Sequence, residues 1–457
     1  MGGRSRLNLL VAWLTWVAWL ACGAAAFSQT EEKSGKSQQY EGPSIISRDS
    51  TLIGERGGKL LDFRFYASLN GVYDSGLTPV LTDKTGNLVT TGGAYGVAAG
   101  FGVTGSKTWR RDSLSLDYNG SYRKYADGGS FDGLDQFLSL RYGRTISRRL
   151  ILDVKETGGI SGLGNGNFSF LPLTSNDLHA IPTNELFDNR TEYSQSTVGL
   201  VWQKSARLSF RVDGDGSVVR RKAGSLAGLN GYGVGGDVSY RITRRQTLSL
   251  TYRLMHYDYQ RLYGSALAQT ASVGYSIGLG RRYDLATSIG GTYANLVGLQ
   301  TVQLDPAIVA IIGQTQITEN FNRTAAIPYG SVSLTRRFSH SAVSATANTG
   351  ISPGNGAYLT SRQTSAGVSY SYAGRQRWSS GAKFDYTKLS ALGQQIGQYS
   401  GVQGGVGATY RVTNAMHAEF RYDYRHYSTQ NDLFRKDSHR ISVGLAFSPG
   451  DKPLSIL

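Results

Sequence analysis

From Leu60 to the C-terminal region, apolar and polar residues alternate one for one along segments of about a dozen residues. In "LDFRFYASLNGVY", Leu61, Phe63, Phe65, Ala67 and Leu69 share one face, and Asp62, Arg64, Tyr66, Ser68 and Asn70 share the other. In "MHAEFRYDYRHY", Met416, Ala418, Phe420, Tyr422 and Tyr424 oppose His417, Glu419, Arg421, Asp423 and Arg425. A period of two is the period of a β-strand, whose side chains point to opposite faces in turn. One face of these segments suits an apolar medium and the other suits water.

The alternation is arranged in hairpins. In "VSYRITRRQTLSLTYR" (Val238 to Arg253) one alternating run ends at Ile242, two arginines intervene, and a second resumes at Leu248. About eighteen such segments begin near residues 60, 93, 114, 135, 150, 190, 207, 231, 247, 265, 283, 327, 341, 356, 378, 398, 416 and 435. Tight connections ("KTWRRDS", "SRR", "QKSAR", "TRRQ", "GRRYD", "RRFSHS", "GRQRW", "VTNA") alternate with longer ones, the longest at 161–189 and 299–326. Composition agrees: 59 Gly and 28 Tyr against 9 Pro, with 40% hydrophobic residues, suits long two-faced strands better than a large soluble core. A soluble solenoid, sandwich array or propeller also has polar faces, but it implies similar turns at both ends and strands of about five or six residues. The expectation is therefore all-β: a single transmembrane antiparallel β-barrel of about 18 strands over 60–448, with short periplasmic turns and long outer loops.

Residues 1–26 combine a basic start, "MGGRSR", with an apolar run ending in "GAAA", and are expected to be a secretory signal peptide cleaved after Ala26. A membrane anchor and, through Cys22, a lipoprotein are the alternatives. Cys22 is the chain's one cysteine, so cleavage leaves no thiol chemistry. Residues 27–59 are polar and aperiodic, expected to be a flexible periplasmic leader, and 449–457 a C-terminal tail.

These features together resemble the bacterial outer-membrane β-barrels, and more loosely are similar to β-barrel porins, some of which accompany exopolysaccharide secretion. The resemblance covers nearly all of 60–448 and rests on pattern, without a diagnostic motif. The last strand, "HRISVGLAFSP", resembles the terminal strand that such barrels present to the barrel assembly machinery, with His439, Ile441, Val443, Leu445 and Phe447 outward. It departs from the family in continuing as "SPGDKPLSIL" where the family ends on an aromatic residue. The resemblance implies an aqueous lumen, since sixteen to eighteen strands leave a channel.

Three groups of residues are candidates for function. Arg110, Arg111, Arg148, Arg149, Arg244, Arg245, Arg281, Arg282, Arg336, Arg337, Arg375 and Arg377 sit at the tight turns and carry much of the formal charge of +16. They read either as a periplasmic funnel for anionic solutes or as contacts to anionic lipid head groups. Arg64, Arg123, Arg211, Arg253, Lys383, Asp385, Glu419, Arg421, Asp423 and Arg425 fall on the polar face and are candidate pore-lining residues; the signs nearly balance, so strong anion selectivity is not expected. The two longest loops are the third group: 161–189 is rich in Phe and Leu, and "DPAIVAIIG" starts a short helix with Asp305 as its cap and Pro306 in its first turn. Either loop has the means to gate the pore, and packing on a neighbouring loop or on the barrel is the equal alternative. Tyr257, Tyr259, Tyr422, Tyr424 and Tyr427 are expected in an aromatic girdle at the outer interface.

Catalysis has little support. His179, His256, His340, His417, His426 and His439 are scattered, and no metal spacing, phosphate loop or dinucleotide fingerprint is present. The expected function is a porin-like channel for hydrophilic solutes, anionic ones among them, without catalytic residues, cofactor, metal or nucleic-acid partner. Its expected partners are outer-membrane lipids, the assembly machinery, and a hydrophilic solute or polysaccharide. The alternatives are export of an acidic exopolysaccharide and an occluded structural or adhesion barrel.

Overall fold

Strands form where the alternation is unbroken, and each tight turn folds one strand back on the last. The computed structural model describes residues 62–449, leaving aside 76–80, 83–87, 90–92, 127–131, 162–189, 223–225, 281, 304–315, 374–376, 394–397 and 430–433. The expected signal, leader and most of the tail lie outside the described residues, as do the loop 162–189 and the "DPAIVAIIG" helix.

In chain order the strands are β1 (Asp62–Asp74), β2 (Leu81–Thr82), β3 (Leu88–Val89), β4 (Ala94–Thr108), β5 (Asp112–Tyr125), β6 (Gly133–Ser147) and β7 (Leu150–Ser161). Then come β8 (Thr191–Gln203), β9 (Leu208–Arg221), β10 (Gly228–Thr243), β11 (Gln246–Gln260), β12 (Gly264–Leu279), β13 (Tyr283–Gln303) and β14 (Gln316–Arg337). The last are β15 (Ser341–Ser352), β16 (Ser361–Ala373), β17 (Trp378–Ala391), β18 (Gln398–Arg411), β19 (Met416–Thr429) and β20 (Phe434–Phe447). The two-residue pair β2–β3 stands apart from the main sheet; the other strands form one 18-stranded antiparallel sheet. It closes where β1 pairs with both β4 and β20, in a register that sets Ala67 against Phe447 and Asp74 against Arg440. The structure is thus the expected closed barrel.

Closure matters physically because it pairs every strand on both sides, as a membrane interior requires. The exterior carries large apolar side chains open to the surroundings, among them Leu69, Val97, Val234, Leu250, Ile289 and Val443. In water so continuous an apolar exterior would be an aggregation surface; against lipid it is the favourable face. Among the described residues no helix is long and apolar enough to cross a membrane. On the terminal strand Ile441, Val443, Leu445 and Phe447 point outward as the alternation requires.

Four expectations need correction. The segment 299–326 is mostly strand: β13 runs to Gln303 and β14 starts at Gln316, with Gln300 opposite Glu319 and Leu299 opposite Asn320. Polar residues on both faces of this extension hide its period of two. The connection at 261–263 holds only three residues, with Arg261 at φ 69°, so loop lengths do not alternate strictly. Strand β16 starts at Ser361 rather than near 356. Finally, Tyr257, Tyr259 and Tyr427 are not in an outer girdle; they are buried inside the barrel.

Candidate functional site

The lumen is built on strands whose inner faces are nearly bare. On β4 the inward residues are Ala94, Gly96, Ala98, Gly100 and Gly102, and the longer side chains of β1 and β5 lie over them. A Cβ at Gly102 would stand 2.2 Å from the Tyr66 ring, so a side chain there would displace it. On β10, Gly233 and Gly235 give the same clearance to Asp213 and Asp215 from β9 and to Arg253 from β11. Alternation puts charges inside; glycine-floored neighbours let them reach across a strand and meet.

They meet in two groups. The first lies on β1, β5, β6, β19 and β20. Arg123 donates to Asp135 (2.7 Å), both buried, and Arg440 donates to Asp74 through Nε (2.8 Å) and Nη2 (2.5 Å). Arg421 donates through Nε to Asp423 (2.9 Å), and the Tyr66 hydroxyl donates to Asn119 (2.7 Å). Arg425 and Glu419 are buried on the same inner face of β19. Between these groups a cavity of about 140 Å³ is lined by Tyr66, Asn70, Arg123, Glu419, Arg421 and Arg440, among others.

The second group, on β9 and β11, has four members: Arg253 reaches Asp213 (3.1 Å) and also bonds Asp215, while Arg211 lies 3.5 Å from Asp213. Elsewhere Lys383 pairs with Asp385 (2.9 Å), and Arg141 makes a two-pronged contact with Asp153 (3.0 and 2.9 Å). Of the candidate lumenal residues, the backbone of Arg64 lies on β1 opposite Thr104, and its side chain is outside the described residues. Arg123, Glu419, Arg421, Asp423 and Arg425 come together, Arg211 and Arg253 form the other group, and Lys383 with Asp385 stands apart.

Towards the long-loop rim the lumen changes character. The inner face of β11 passes from Arg253 to Met255, Tyr257 and Tyr259, and that of β9 from Asp215 to Ser217 and Val219. With Leu229, Ala266, Ala268, Ala294, Leu296, Ile327 and Ile351 these form a buried apolar cluster inside the barrel. Phe321 of the extended β14 and Leu359 pack against it.

The connection 353–360 closes over this cluster. Tyr259 donates to the Pro353 carbonyl (3.1 Å) and shares a hydrogen bond with Thr360 (2.6 Å). The Ala227 amide donates to the Gly356 carbonyl (3.0 Å), and Arg221 Nε donates to the Ala227 carbonyl (3.1 Å). On the other side Tyr358 packs with Leu389, Tyr399 and Tyr427. Gly354 and Gly356 have φ of 78° and 91°, left-handed conformations that the inward fold of the loop requires and that glycine adopts without steric cost. Inward folding is thus seen in a short loop of eight residues between β15 and β16, whereas the loops expected to narrow the lumen, 161–189 and the middle of 299–326, fall largely outside the described residues. Sequence reasoning missed this loop and the partners Asp74 and Asp135; the one available signal was the run of apolar residues on the inner parity of β9–β11.

The basic turns occupy the opposite rim. Arg110, Arg111, Arg148, Arg149, Arg244, Arg245, Arg282, Arg336, Arg337 and Arg377 are exposed there; Arg281 and Arg375 lie outside the described residues. Arg336 lies over the Tyr283 ring (4.8 Å) and the Phe338 ring (4.4 Å), and Arg337 pairs with Asp284 (2.8 Å). Trp202 stacks on Phe210, and Trp378 packs against Tyr410 with the rings tilted, along the same rim.

No family model and no curated protein matches the chain. Among solved structures the chain is similar to Pseudomonas aeruginosa OccK5 (OpdH), at 13% identity and TM-score 0.39 over 85% of this chain and 98% of that one. It is likewise similar to a BenF-like porin from Pseudomonas fluorescens Pf-5, at 11% identity and TM-score 0.42 over 86% of this chain and 100% of that one. For Pseudomonas aeruginosa OccK2 (OpdF) the values are 14% and 0.40 over 85% and 98%.

Proposed function

We propose that this protein is a porin-like channel of the bacterial outer membrane, passing small hydrophilic solutes, anionic ones among them. The observation that carries this reading is the pairing of an apolar exterior with a charged, cavity-bearing interior in a closed 18-stranded sheet. A barrel that size leaves room for an aqueous path, and charged side chains inside it need water or one another. The transport step is passive: guanidinium and carboxylate groups replace part of a solute's hydration, and no bond is made or broken.

The exposed basic rim reads best as the periplasmic, head-group-facing end. Arg336 lying over two aromatic rings is the arrangement expected of a side chain holding its charge at a lipid interface. The terminal strand is then the segment offered to the assembly machinery.

The test is single-channel conductance of the purified protein in a planar bilayer, with selectivity from the reversal potential. Steady conductance is expected with weak ion selectivity, because the lumenal pairs nearly cancel. One observation favours a second reading, an occluded structural barrel: the apolar cluster and loop 353–360 fill part of the lumen. Silence from a demonstrably folded barrel would refute the channel and leave that reading.

A further inference from the structure

The first lumenal group contains a carboxylate whose bonding is incomplete. Arg123, Arg440 and Arg421 are each held by an aspartate, as described above. Glu419 differs. Its residue is 7% exposed, and its Oε1 is buried without a hydrogen-bond partner. The Asn70 side chain hydrogen-bonds the Glu419 carboxylate across β20, while Asn70 Oδ1 is itself buried without a partner. Gly444 makes this contact possible: it lies between the two in register, and a Cβ there would stand 2.0 Å from Asn70 Oδ1. Both residues line the 140 Å³ cavity. Two buried acceptor atoms with no donor, Glu419 Oε1 and Asn70 Oδ1, each carry a desolvation cost that a donor removes.

We infer that Glu419 and Asn70 form a lumenal subsite for a solute's primary ammonium group, which brings N–H donors and a positive charge to both acceptors. This rests on the channel reading and narrows it. The transported class then includes amino-bearing solutes, and the neighbouring arginines give an acidic end of the same solute a place to dwell. A zwitterion satisfies both.

The experiment titrates methylammonium chloride onto the full protein, folded in detergent micelles, and reads binding by ligand-observed NMR. Tetramethylammonium, with the same charge and no N–H, is the comparison. Methylammonium is expected to bind and tetramethylammonium to bind much more weakly. Glu419→Gln is expected to weaken methylammonium by about ten- to hundred-fold, the range of a lost charge-assisted hydrogen bond. Asn70→Ala keeps the carboxylate and is expected to weaken it several-fold; it carries the test if Glu419→Gln does not fold, as judged by heat-dependent gel mobility. Equal binding of the two cations, or unchanged affinity in the folded variant, overturns the subsite. Binding needs no current, so the two readings separate. A silent barrel that binds methylammonium would refute the channel alone, and a conducting barrel that does not bind it would refute the subsite alone.

Discussion

Leu296 offers a direct test of whether the outer half of the lumen is packed protein or wet channel. It lies on β13, 3% exposed, inside the apolar cluster, and lines a small void of about 30 Å³ with Tyr259, Phe321 and Leu359. Truncation to Ala in a packed core loses the transfer free energy of the removed carbons and leaves a cavity, together about 2.7–5 kcal/mol. The same truncation at Leu250, 57% exposed on the lipid face, loses only the transfer part, about 2 kcal/mol at about 0.8 kcal/mol per CH₂, because fluid lipid closes the gap. If Leu296 instead faced water in the lumen, its loss would stay within about 0.5 kcal/mol. The assay is equilibrium unfolding by guanidinium of barrels refolded into vesicles, followed by tryptophan fluorescence. The expected order of cost is Leu296→Ala, then Leu250→Ala, then wild type. A Leu296→Ala protein no less stable than Leu250→Ala would refute a packed lumenal cluster.

Gly356→Val places a side chain at φ 91° and its Cβ 2.3 Å from Arg221 Nε, so loop 353–360 should leave its seat. Open-channel conductance is then expected to rise, and an unchanged value would show that the loop does not narrow the path. Asp135→Asn strands a buried Arg123 and is expected to cost about 3–5 kcal/mol, whereas Asp153→Asn, opposite an exposed Arg141, should cost under about 1 kcal/mol; comparable unfolding midpoints for the two would contradict the burial argument. Glu156, on the outward face of β7 beside Val154, accepts hydrogen bonds from Ser194 (2.7 Å) and Ser196. Glu156→Leu is expected to leave stability unchanged or raised if lipid covers this face, and a loss above about 1 kcal/mol in the same unfolding assay would contradict that.

The architecture was legible because one physical rule writes itself into every strand. A residue facing lipid and a residue facing water cannot exchange places, so alternation survives across "LSLDYNGSYRKY" and "HRISVGLAFSP" alike. The rule weakens where neither medium is present. The β13–β14 hairpin extends past its neighbours, and there "QITENFNRTAA" keeps no continuous apolar face and reads as loop. Inside the apolar cluster, inward side chains pack on one another. Tyr257 and Tyr259 therefore look like lipid-facing aromatics although their parity with Arg253 places them inward. Pairing was harder still: Asp74 stands at the end of its strand and Asp135 near the start of its own. Their partners follow from interstrand register, which the period of two does not encode.

The lumen is asymmetric, and the asymmetry bears on which wall a solute meets. Strands β9–β15 contribute the apolar cluster, and loop 353–360 is tied down on that side by Arg221, Ala227 and Tyr259. The charged cavity belongs to β1, β4–β6, β19 and β20, the sector around the barrel's closing seam. A filled sector cannot conduct, so the path proposed here runs along the charged one. There a solute exchanges partners with groups already paired to one another: each guanidinium must loosen its aspartate to bind an anion, which limits affinity and keeps release fast. Glu419 and Asn70 are the exception, since their free acceptors offer a hydrogen bond without breaking one. In such a path the balanced pairs set the permeation rate and the unsatisfied pair sets the preference.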